Sequence, residues 1–368
     1  MSRAFSIYLD LVRFLAACLV YVYHSNQRLL VSQVLPASNY GHSSVIVFFV
    51  LSGFVIAYIT DSKEKKWATY AASRLSRVYS VVVPALLLTL LLDSIGRQLY
   101  PALYTYPFDQ FLARSASSLM LLNEVWFVSV TSFSNVPFWS ICYEMWYYIA
   151  FALLMFLPRR IGFCLVAGLA LLLGPKIVLL APIWGAGVVL YRSQAFNALS
   201  ERRAWLLVAG TLIGIVAFHH ADVSLSLSNH LKEVIGPHWH AELTFSKFFP
   251  ADYLLGLLIF FNFVGMRKVC TRLEPALLWI ESPVRFLAGY TFTLYLLHQP
   301  LFLFWGAVLH ADPLGYGYWW SITGMVALSV LGIGYVTESK RHLLKRWLEQ
   351  KLSGMGRTLA EKAHAAEY

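Results

Sequence analysis

An arginine and a histidine lie in the first apolar segment of the chain, where ionisable side chains are rarely found. Arg13 and His24 stand eleven positions apart in the run YLDLVRFLAACLVYVYH. At about 100° per residue, a helix places both side chains on one face, with a rise of about 16 Å between them. Burying an ionisable group at membrane depth is costly, so such residues usually serve a function. The pair predicts a polar path along this helix, with a cation near one membrane face and an imidazole near the other.

The two side chains and a nearby carboxylate suit a site that handles protons or anions. His24 is a candidate general base, because imidazole titrates closest to neutral pH. Asp10 lies three residues before Arg13, and this spacing predicts an ion pair on a helix. The alternative is that Arg13 extends to the membrane surface and that His24 is an ordinary interfacial residue.

A carboxylate in an aromatic apolar run is the next candidate. Glu144 lies in FWSICYEMWYYIAFALL, with Ser140 one helical turn before it and Trp139 beside that serine. We expect Glu144 to face a polar cavity as an acid, a base or an orienting group. The alternative is a structural hydrogen bond to a neighbouring helix.

Two arginines near the third apolar segment are spaced for binding phosphate. Arg74 and Arg77 in ASRLSRVYS are three residues apart, so they project from one side of a helix. Two guanidinium groups on one face form a fork for a phosphate group. The alternative is that they are ordinary basic residues of a cytoplasmic loop.

Histidines elsewhere add two smaller candidates. His298 in GYTFTLYLLHQP is either a second histidine of the same cavity or a buried structural one. Five more histidines occur in an outer loop, but their spacings match no standard metal site, so no metal is predicted. These five are His219, His220, His230, His238 and His240.

The chain has the composition of a polytopic membrane protein. Hydrophobic residues make up 58% of it and charged residues 13%, whereas soluble domains carry about 25% charged residues. The sequence predicts an all-α bundle of about ten transmembrane helices. The stretch 111–128 is apolar but contains Arg114 and Glu124, so we expect a loop or an interfacial segment there. The predicted spans are 5–24, 44–60, 77–95, 138–157, 162–174, 176–191, 204–219, 250–265, 286–309 and 318–337.

The net charge of +10 is explained by membrane topology. With the N-terminus in the cytoplasm, most Lys and Arg residues fall in cytoplasmic loops, as the positive-inside rule requires. This pattern places both termini in the cytoplasm and predicts no nucleic-acid partner. We expect a transmembrane domain over 1–337 and a basic cytoplasmic tail over 338–368, lying as a helix at the inner surface.

The N-terminus and the cysteines predict neither processing nor cross-linking. The first apolar run is long, contains charged residues and lacks a small-residue cleavage site, so it is not a cleaved signal peptide. None of the four cysteines forms a C-x-x-C pair, and neither a disulfide framework nor a zinc site is expected.

Five blocks of the chain, in order, resemble the membrane acyltransferase-3 family, whose members O-acylate glycans. DLVRFLAACLVYVYH (10–24) matches the family's Arg-x10-His helix, and FFVLSGFVIAY (48–58) matches its FF-x-LSGF segment. SRLSRVY (73–79) resembles its R-x-x-R loop, FWSICYEMWYYIA (138–150) its WS-x-x-x-E helix, and GYTFTLYLLHQP (289–300) its S-x-x-LYL-x-H-x-P helix. The resemblance covers about residues 5–350. Two prolines of the family pattern are missing, since Ser80 and Lys340 occupy those positions.

The resemblance implies a reaction and a role for each candidate. The donor would be a cytosolic acyl-CoA, most often acetyl-CoA, with its pantetheine arm running beside the first helix. The acceptor would be a polysaccharide, a lipopolysaccharide or another envelope glycan at a bacterial inner membrane. His24 would act as general base or acyl relay, and Glu144 would orient it or hold the acceptor. The residues implied to bind acyl-CoA or substrate are Arg13, Arg74, Arg77, Ser140 and Trp139, with Asp10 and His298 in support.

The resemblance also implies that the protein has no permanently bound cofactor and acts as a single component. No permanently bound cofactor is expected, because acyl-CoA is a co-substrate. The esterase-like domain that some members carry is not found in this sequence, so we expect a single-component transferase. The alternative is a proton-coupled exporter or flippase, since ten spans with an intramembrane Arg, His and Glu also describe such proteins.

Overall fold

The computed structural model describes residues 1–29, 34–193, 198–310 and 315–365, with side chains up to residue 354. Within these ranges the chain forms α-helices joined by turns and short 3-10 segments, and no β-strand occurs. The predicted all-α fold is confirmed. The helices are α1 (Arg3–Leu29), α2 (Gly41–Ser62), α3 (Trp67–Leu99), α4 (Phe111–Leu119), α5 (Trp139–Phe156), α6 (Arg159–Leu173), α7 (Pro175–Arg192), α8 (Glu201–His220), α9 (Val223–Ile235), α10 (Pro237–Glu242), α11 (Phe249–Arg272), α12 (Glu274–Trp279), α13 (Glu281–Ala288), α14 (Thr291–Leu309), α15 (Tyr316–Val336) and α16 (Arg341–Ala365).

The described part of the chain contains nine helical segments that are long and apolar enough to cross a membrane. A helix satisfies its own backbone hydrogen bonds, which is what a lipid environment demands. The predicted span 162–174 forms α6, which has 15 residues and is shorter than these nine. α6 is joined to α5 by Leu157 and Pro158 and to α7 by Gly174 alone. The protein is therefore a multi-pass membrane protein with a short helix between two long ones.

Glycine allows the closest helix contact near the site, between α2 and α7. A Cβ atom at Gly53 would lie 2.0 Å from the carbonyl oxygen of Trp184. A Cβ atom at Gly187 would lie 2.0 Å from the carbonyl oxygen of Val50. Small residues let membrane helices approach until their backbones touch. The LSGF segment therefore owes its glycine to packing, and this contact fixes the position of Ser52 next to it.

Replacing Gly53 by alanine is expected to destabilise the protein by about 1–3 kcal/mol, because the new methyl group forces α2 and α7 apart. The measurement is the apparent melting temperature of the purified protein in detergent. Gly185→Ala is the matched control on α7, since a Cβ atom there meets nothing within 4 Å. Equal melting temperatures for the two variants would contradict this packing.

The stretch predicted as a loop or interfacial segment, 111–128, forms α4 and a turn region after it. Its carboxylate, Glu124, is buried and accepts a hydrogen bond from Lys176 Nζ at 2.6 Å. The two side chains are 2% and 0% exposed. Thr244 and Ser129 donate further hydrogen bonds to the same carboxylate. A charge that interrupts the hydropathy pattern is thus paired inside the bundle and ties the segment to α7.

The C-terminal segment begins inside the bundle before it reaches the surface. Glu338 is buried and accepts hydrogen bonds from the backbone N–H and the hydroxyl of Thr293. The predicted helix is present as α16, which packs along α3, where Thr69 donates to Glu349 at 2.8 Å. The residues after α15 therefore help to build the wall of the site.

Candidate functional site

A cavity of about 500 Å³ lies between α1, α2, α3, α5, α13 and α14. The exposed Ser339 and Arg341 stand at its mouth. These residues follow α15 in the chain, so the cavity opens at the end of the bundle where α15 ends and α16 begins. Phe48, Ser140 and Tyr295 lie on its inner wall. The cavity thus extends from a polar mouth to an inner wall of aromatic rings and hydroxyl groups.

Four guanidinium groups line this cavity, those of Arg13, Arg77, Arg285 and Arg341. The predicted pair between Arg13 and Asp10 is present, at 2.9 Å from Nη1 to Oδ1. Arg285 pairs with the other oxygen of Asp10. The guanidinium groups of Arg77 and Arg341 make no ion pair or hydrogen bond with any residue that the structure describes. Two cations without a paired carboxylate favour an anionic ligand.

Three carboxylates share the cavity wall with the four guanidinium groups, and each has its own partners. These are Asp10, Glu144 and Glu338. At the rim, Glu281 accepts a hydrogen bond from Arg3, and this bond lowers the pKa of the Glu281 carboxyl group. Such an exposed ion pair adds little to stability. The cavity keeps a net positive charge because its guanidinium groups outnumber its carboxylates.

Glu144 is held from two sides in the cavity wall. Its carboxylate accepts a hydrogen bond from Ser52 Oγ at 2.6 Å and another from the hydroxyl of Tyr148. Trp184 Nε1 donates in turn to Ser52 Oγ at 3.2 Å. Glu144 is therefore an oriented hydrogen-bond acceptor that faces the cavity, as its position one turn after Ser140 predicts.

Tyr295 connects the cavity to a pair of histidines behind it. Its hydroxyl is 2.6 Å from Ser140 Oγ, on the cavity side. Its carbonyl oxygen accepts a hydrogen bond from His298 Nδ1 at 2.7 Å. His298 Nε2 lies 3.0 Å from His24 Nδ1, and the two rings stack with centroids 5.2 Å apart. Residues 274 positions apart in sequence thereby form one hydrogen-bonded chain.

The Tyr295 carbonyl oxygen determines which atom donates in each hydrogen bond of this chain. A carbonyl oxygen only accepts, so His298 Nδ1 carries the proton and Nε2 keeps its lone pair. His24 Nδ1 must then donate to His298 Nε2. In the neutral pair, the free lone pair is on His24 Nε2. The hydrogen-bond partner of His24 is His298, whereas Glu144 bonds to Ser52 and Tyr148 and makes no hydrogen bond to His24.

The predicted polar path along the first helix is wrong in one respect. Arg13 lines the cavity, but His24 lies outside its wall. Between them on the same face, Ala17 and Val20 are 0% and 1% exposed. These apolar side chains are buried in the core, so the face of α1 between Arg13 and His24 does not line the cavity. The cavity rises instead along α2, α5 and α14.

The phosphate fork predicted for Arg74 and Arg77 does not form. Arg74 is buried and pairs with Glu64 at 2.5 Å, with its guanidinium over the ring of Tyr70. It faces a separate apolar cavity, whereas Arg77 faces the polar one, and Tyr148 lines both. The i,i+3 spacing indicates a shared direction from the helix axis, but it does not indicate which neighbours each side chain meets.

Trp139 and the outer-loop histidines lie away from the cavity. Trp139 stacks on Phe245 with ring centroids 4.5 Å apart. His219 bonds to Ser43, and His240 bonds to Ser228. Within the described residues, no three His, Cys, Asp or Glu side chains come together as a metal site.

Several residues of the site have no signal in the sequence. Arg285 and Arg341 are indistinguishable in sequence from other basic residues at helix ends, and Tyr148 and Tyr295 lie in aromatic apolar runs. Tyr295 lies three residues before His298 on a helix, so its carbonyl oxygen is a natural partner for that ring. This spacing was the one available clue to the histidine chain.

Comparison with known proteins adds a family assignment. The model of acyltransferase family 3, described as an acyltransferase domain, matches residues 6–338. The match covers the cavity-lining parts of α1, α2, α3, α5, α13 and α14 and ends before Arg341. No curated protein and no solved structure matches the chain.

Proposed function

Because the chain belongs to the acyltransferase-3 family, we propose that this membrane acyltransferase moves an acetyl group from cytosolic acetyl-CoA to a hydroxyl of a cell-envelope or exported glycan. We place it in a bacterial inner membrane. The observation that carries the proposal is the chain from the Tyr295 carbonyl oxygen through His298 to His24, next to a positively charged cavity with a cytoplasmic mouth.

The cavity mouth is the proposed site of the CoA phosphates. Guanidinium groups bind phosphate oxygens in a fixed fork geometry. Arg77 and Arg341 have no ion-pair partner among the described residues, whereas Arg13 and Arg285 both pair with Asp10 and Arg285 also lies 3.6 Å from Glu281. A phosphate group entering here replaces solvent around cations that already face it. The pantetheine arm then extends inward along α2, α5 and α14, towards Ser140 and Tyr295.

His24 is the proposed base of the transfer step. The acceptor O–H gives its proton to His24 Nε2, the oxygen forms a bond to the acetyl carbonyl carbon, and the C–S bond breaks to release CoA thiolate. His298 orients the ring and disperses the positive charge that develops on it. A second route passes through an acetyl-histidine at the same nitrogen. Glu144 and Ser140 are proposed to hold the acetyl arm in the cavity.

Acetyl-CoA turnover tests the proposal directly. The purified full-length protein in nanodiscs is incubated with radiolabelled acetyl-CoA, with and without envelope glycan, and free CoA is followed. We expect CoA release that depends on His24 and rises with glycan. Absence of both CoA release and acetyl-CoA binding would overturn the proposal and favour the exporter alternative.

Arg77→Gln is expected to weaken acetyl-CoA binding by a factor of about ten to a hundred, because a charge-assisted hydrogen bond to phosphate is lost. The dissociation constant is measured in nanodiscs by equilibrium dialysis. Arg160→Gln is the control for the loss of one cytoplasmic charge, since Arg160 is exposed and distant from the cavity wall. Arg74→Gln should lower the melting temperature rather than the affinity, since it leaves Glu64 buried without its partner. Unchanged affinity in Arg77→Gln would remove Arg77 from the donor site.

A further inference from the structure

A pair formed by one histidine and one aspartate lies at the outer end of the bundle and has no part in the mechanism above. His42 Nε2 is 3.0 Å and 3.1 Å from the two carboxylate oxygens of Asp252. The Asp252 side chain is 1% exposed, whereas that of His42 is 23% exposed. Asp252 lies in the first turn of α11, where the helix N-terminus stabilises negative charge. A buried carboxylate of this kind fixes the orientation of the more accessible imidazole.

Aromatic rings surround the accessible side of this pair. The ring of Trp139 is nearly parallel to that of Phe245, at 4.5 Å and 3°, and to that of His42, at 6.4 Å and 12°. Phe248 lies 5.1 Å from the His42 ring. The Trp139 indole N–H and His42 Nδ1 make no hydrogen bond with any described residue. A donor and an acceptor thus stand unpartnered beside stacked aromatic faces.

The pair lies at the same end of the bundle as His24. A Cβ atom at Gly41 would lie 2.3 Å from Cγ of Tyr23, so the outer end of α1 touches the start of α2. His24 follows Tyr23 in the sequence, and His42 follows Gly41. Ser140, which follows Trp139, lines the cavity and bonds to Tyr295. The His42 pair therefore lies at the end of the bundle where α1 meets the start of α2 and where α5 begins, which is also the end that holds His24 and Ser140.

The charge of this outer site differs from that of the cavity mouth. The mouth presents four guanidinium groups, whereas the outer site presents one imidazole, one carboxylate and an indole. Lys247 is the cation beside it, with its ammonium 5.3 Å from the Phe248 ring centroid. With His42 neutral and its Nε2–H on Asp252, the site offers an imidazole acceptor and an indole donor beside aromatic faces, which suits an uncharged, hydroxyl-rich ligand. It does not suit a phosphate.

We propose that His42 and Trp139 bind the acceptor, that Asp252 positions the His42 ring, and that the acceptor is an uncharged saccharide unit. The inference rests on the proposed acetyl transfer. Asp252 accepts the Nε2–H of His42, so Nδ1 accepts a hydrogen bond from an acceptor hydroxyl. The Trp139 indole N–H donates to a second sugar oxygen, and the aromatic rings contact the apolar face of the sugar.

The test separates acceptor binding from donor binding. His42→Gln, Asp252→Asn and Trp139→Phe are compared with wild type as full-length proteins in nanodiscs. His219→Gln is the matched control, because His219 is an outer-end histidine bonded to Ser43, the neighbour of His42. The probe is soluble envelope glycan from the organism that encodes this chain, separated by anion exchange into neutral and acidic fractions. The readouts are the KM for glycan in acetyl transfer and the dissociation constant of acetyl-CoA.

We expect His42→Gln and Asp252→Asn to raise the KM for the neutral fraction at least about tenfold. Gln removes the imidazole Nδ1 acceptor, and Asn no longer fixes the tautomer that leaves Nδ1 free to accept. Trp139→Phe keeps an aromatic ring but loses the indole N–H, and it should raise the KM by a smaller factor. The dissociation constant of acetyl-CoA should stay within about twofold in all variants, and His219→Gln should match wild type.

Three results would overturn the inference. The first is an unchanged KM in both His42→Gln and Asp252→Asn. The second is an equal loss of acetyl-CoA binding, which would make the pair structural. The third is that the wild-type protein binds acetyl-CoA but transfers acetyl only to the acidic glycan fraction, or to neither fraction. A wild type that binds no acetyl-CoA would instead overturn the proposed function itself.

Discussion

His24→Gln is expected to reduce acetyl transfer by a factor of about 1,000 or more, because no other group in the described site offers a free imidazole lone pair. Glutamine keeps a similar size and polarity but cannot take up a proton. The dissociation constant of acetyl-CoA should remain near the wild-type value, since His24 lies outside the cavity wall. The measurement is the single-turnover rate of acetyl transfer at saturating acetyl-CoA, with binding measured in parallel.

His298→Gln provides the graded comparison for this prediction. His24 remains in that variant but loses the acceptor that holds its ring 3.0 Å away. Misorientation of a catalytic group costs about 10- to 100-fold, so we expect a smaller loss than in His24→Gln. If His24→Gln and His24→Ala both transfer acetyl at the wild-type rate, the role of His24 as the base is wrong. If His298→Gln is fully active, the histidine chain is not part of the mechanism.

Lys176→Met is expected to destabilise the protein by about 3–5 kcal/mol, because it leaves the buried Glu124 carboxylate without its cation. The pair is one of the most deeply buried of the described ion pairs, with side-chain exposures of 0% and 2%. The measurement is thermal unfolding of the purified protein in detergent. Lys176→Met combined with Glu124→Gln should recover much of the loss, because the isolated buried charge is then absent.

The exposed ion pair between Arg272 and Glu201 supplies the control for this experiment. Its side chains are 68% and 40% exposed, and such solvent-screened pairs contribute little to stability. Arg272→Gln should therefore leave the melting temperature close to that of wild type. A similar small effect in Lys176→Met would mean that the segment after α4 does not depend on the pair.

The sequence was sufficient for the class of fold and for those contacts that depend on the spacing within one helix. Long apolar runs with few charges predict membrane helices, because lipid requires internal hydrogen bonding of every backbone group. A local spacing also predicted the ion pair between Asp10 and Arg13 and the shared face of Ser140 and Glu144. These features depend on one helix at a time, and helical periodicity is a property of the local sequence.

Only the tertiary structure decided how the candidates are combined. His24 finds its partner on α14, at a sequence separation of 274 residues, so periodicity along α1 could not identify it. Arg74 and Arg77 share a helix, yet they meet different neighbours, Glu64 for one and the polar cavity for the other. Ala17 and Val20 close the path beside α1 because the adjacent helices fill that space. A residue's type and spacing determine what chemistry it offers. The packing of helices that are distant in sequence determines which partners that residue meets.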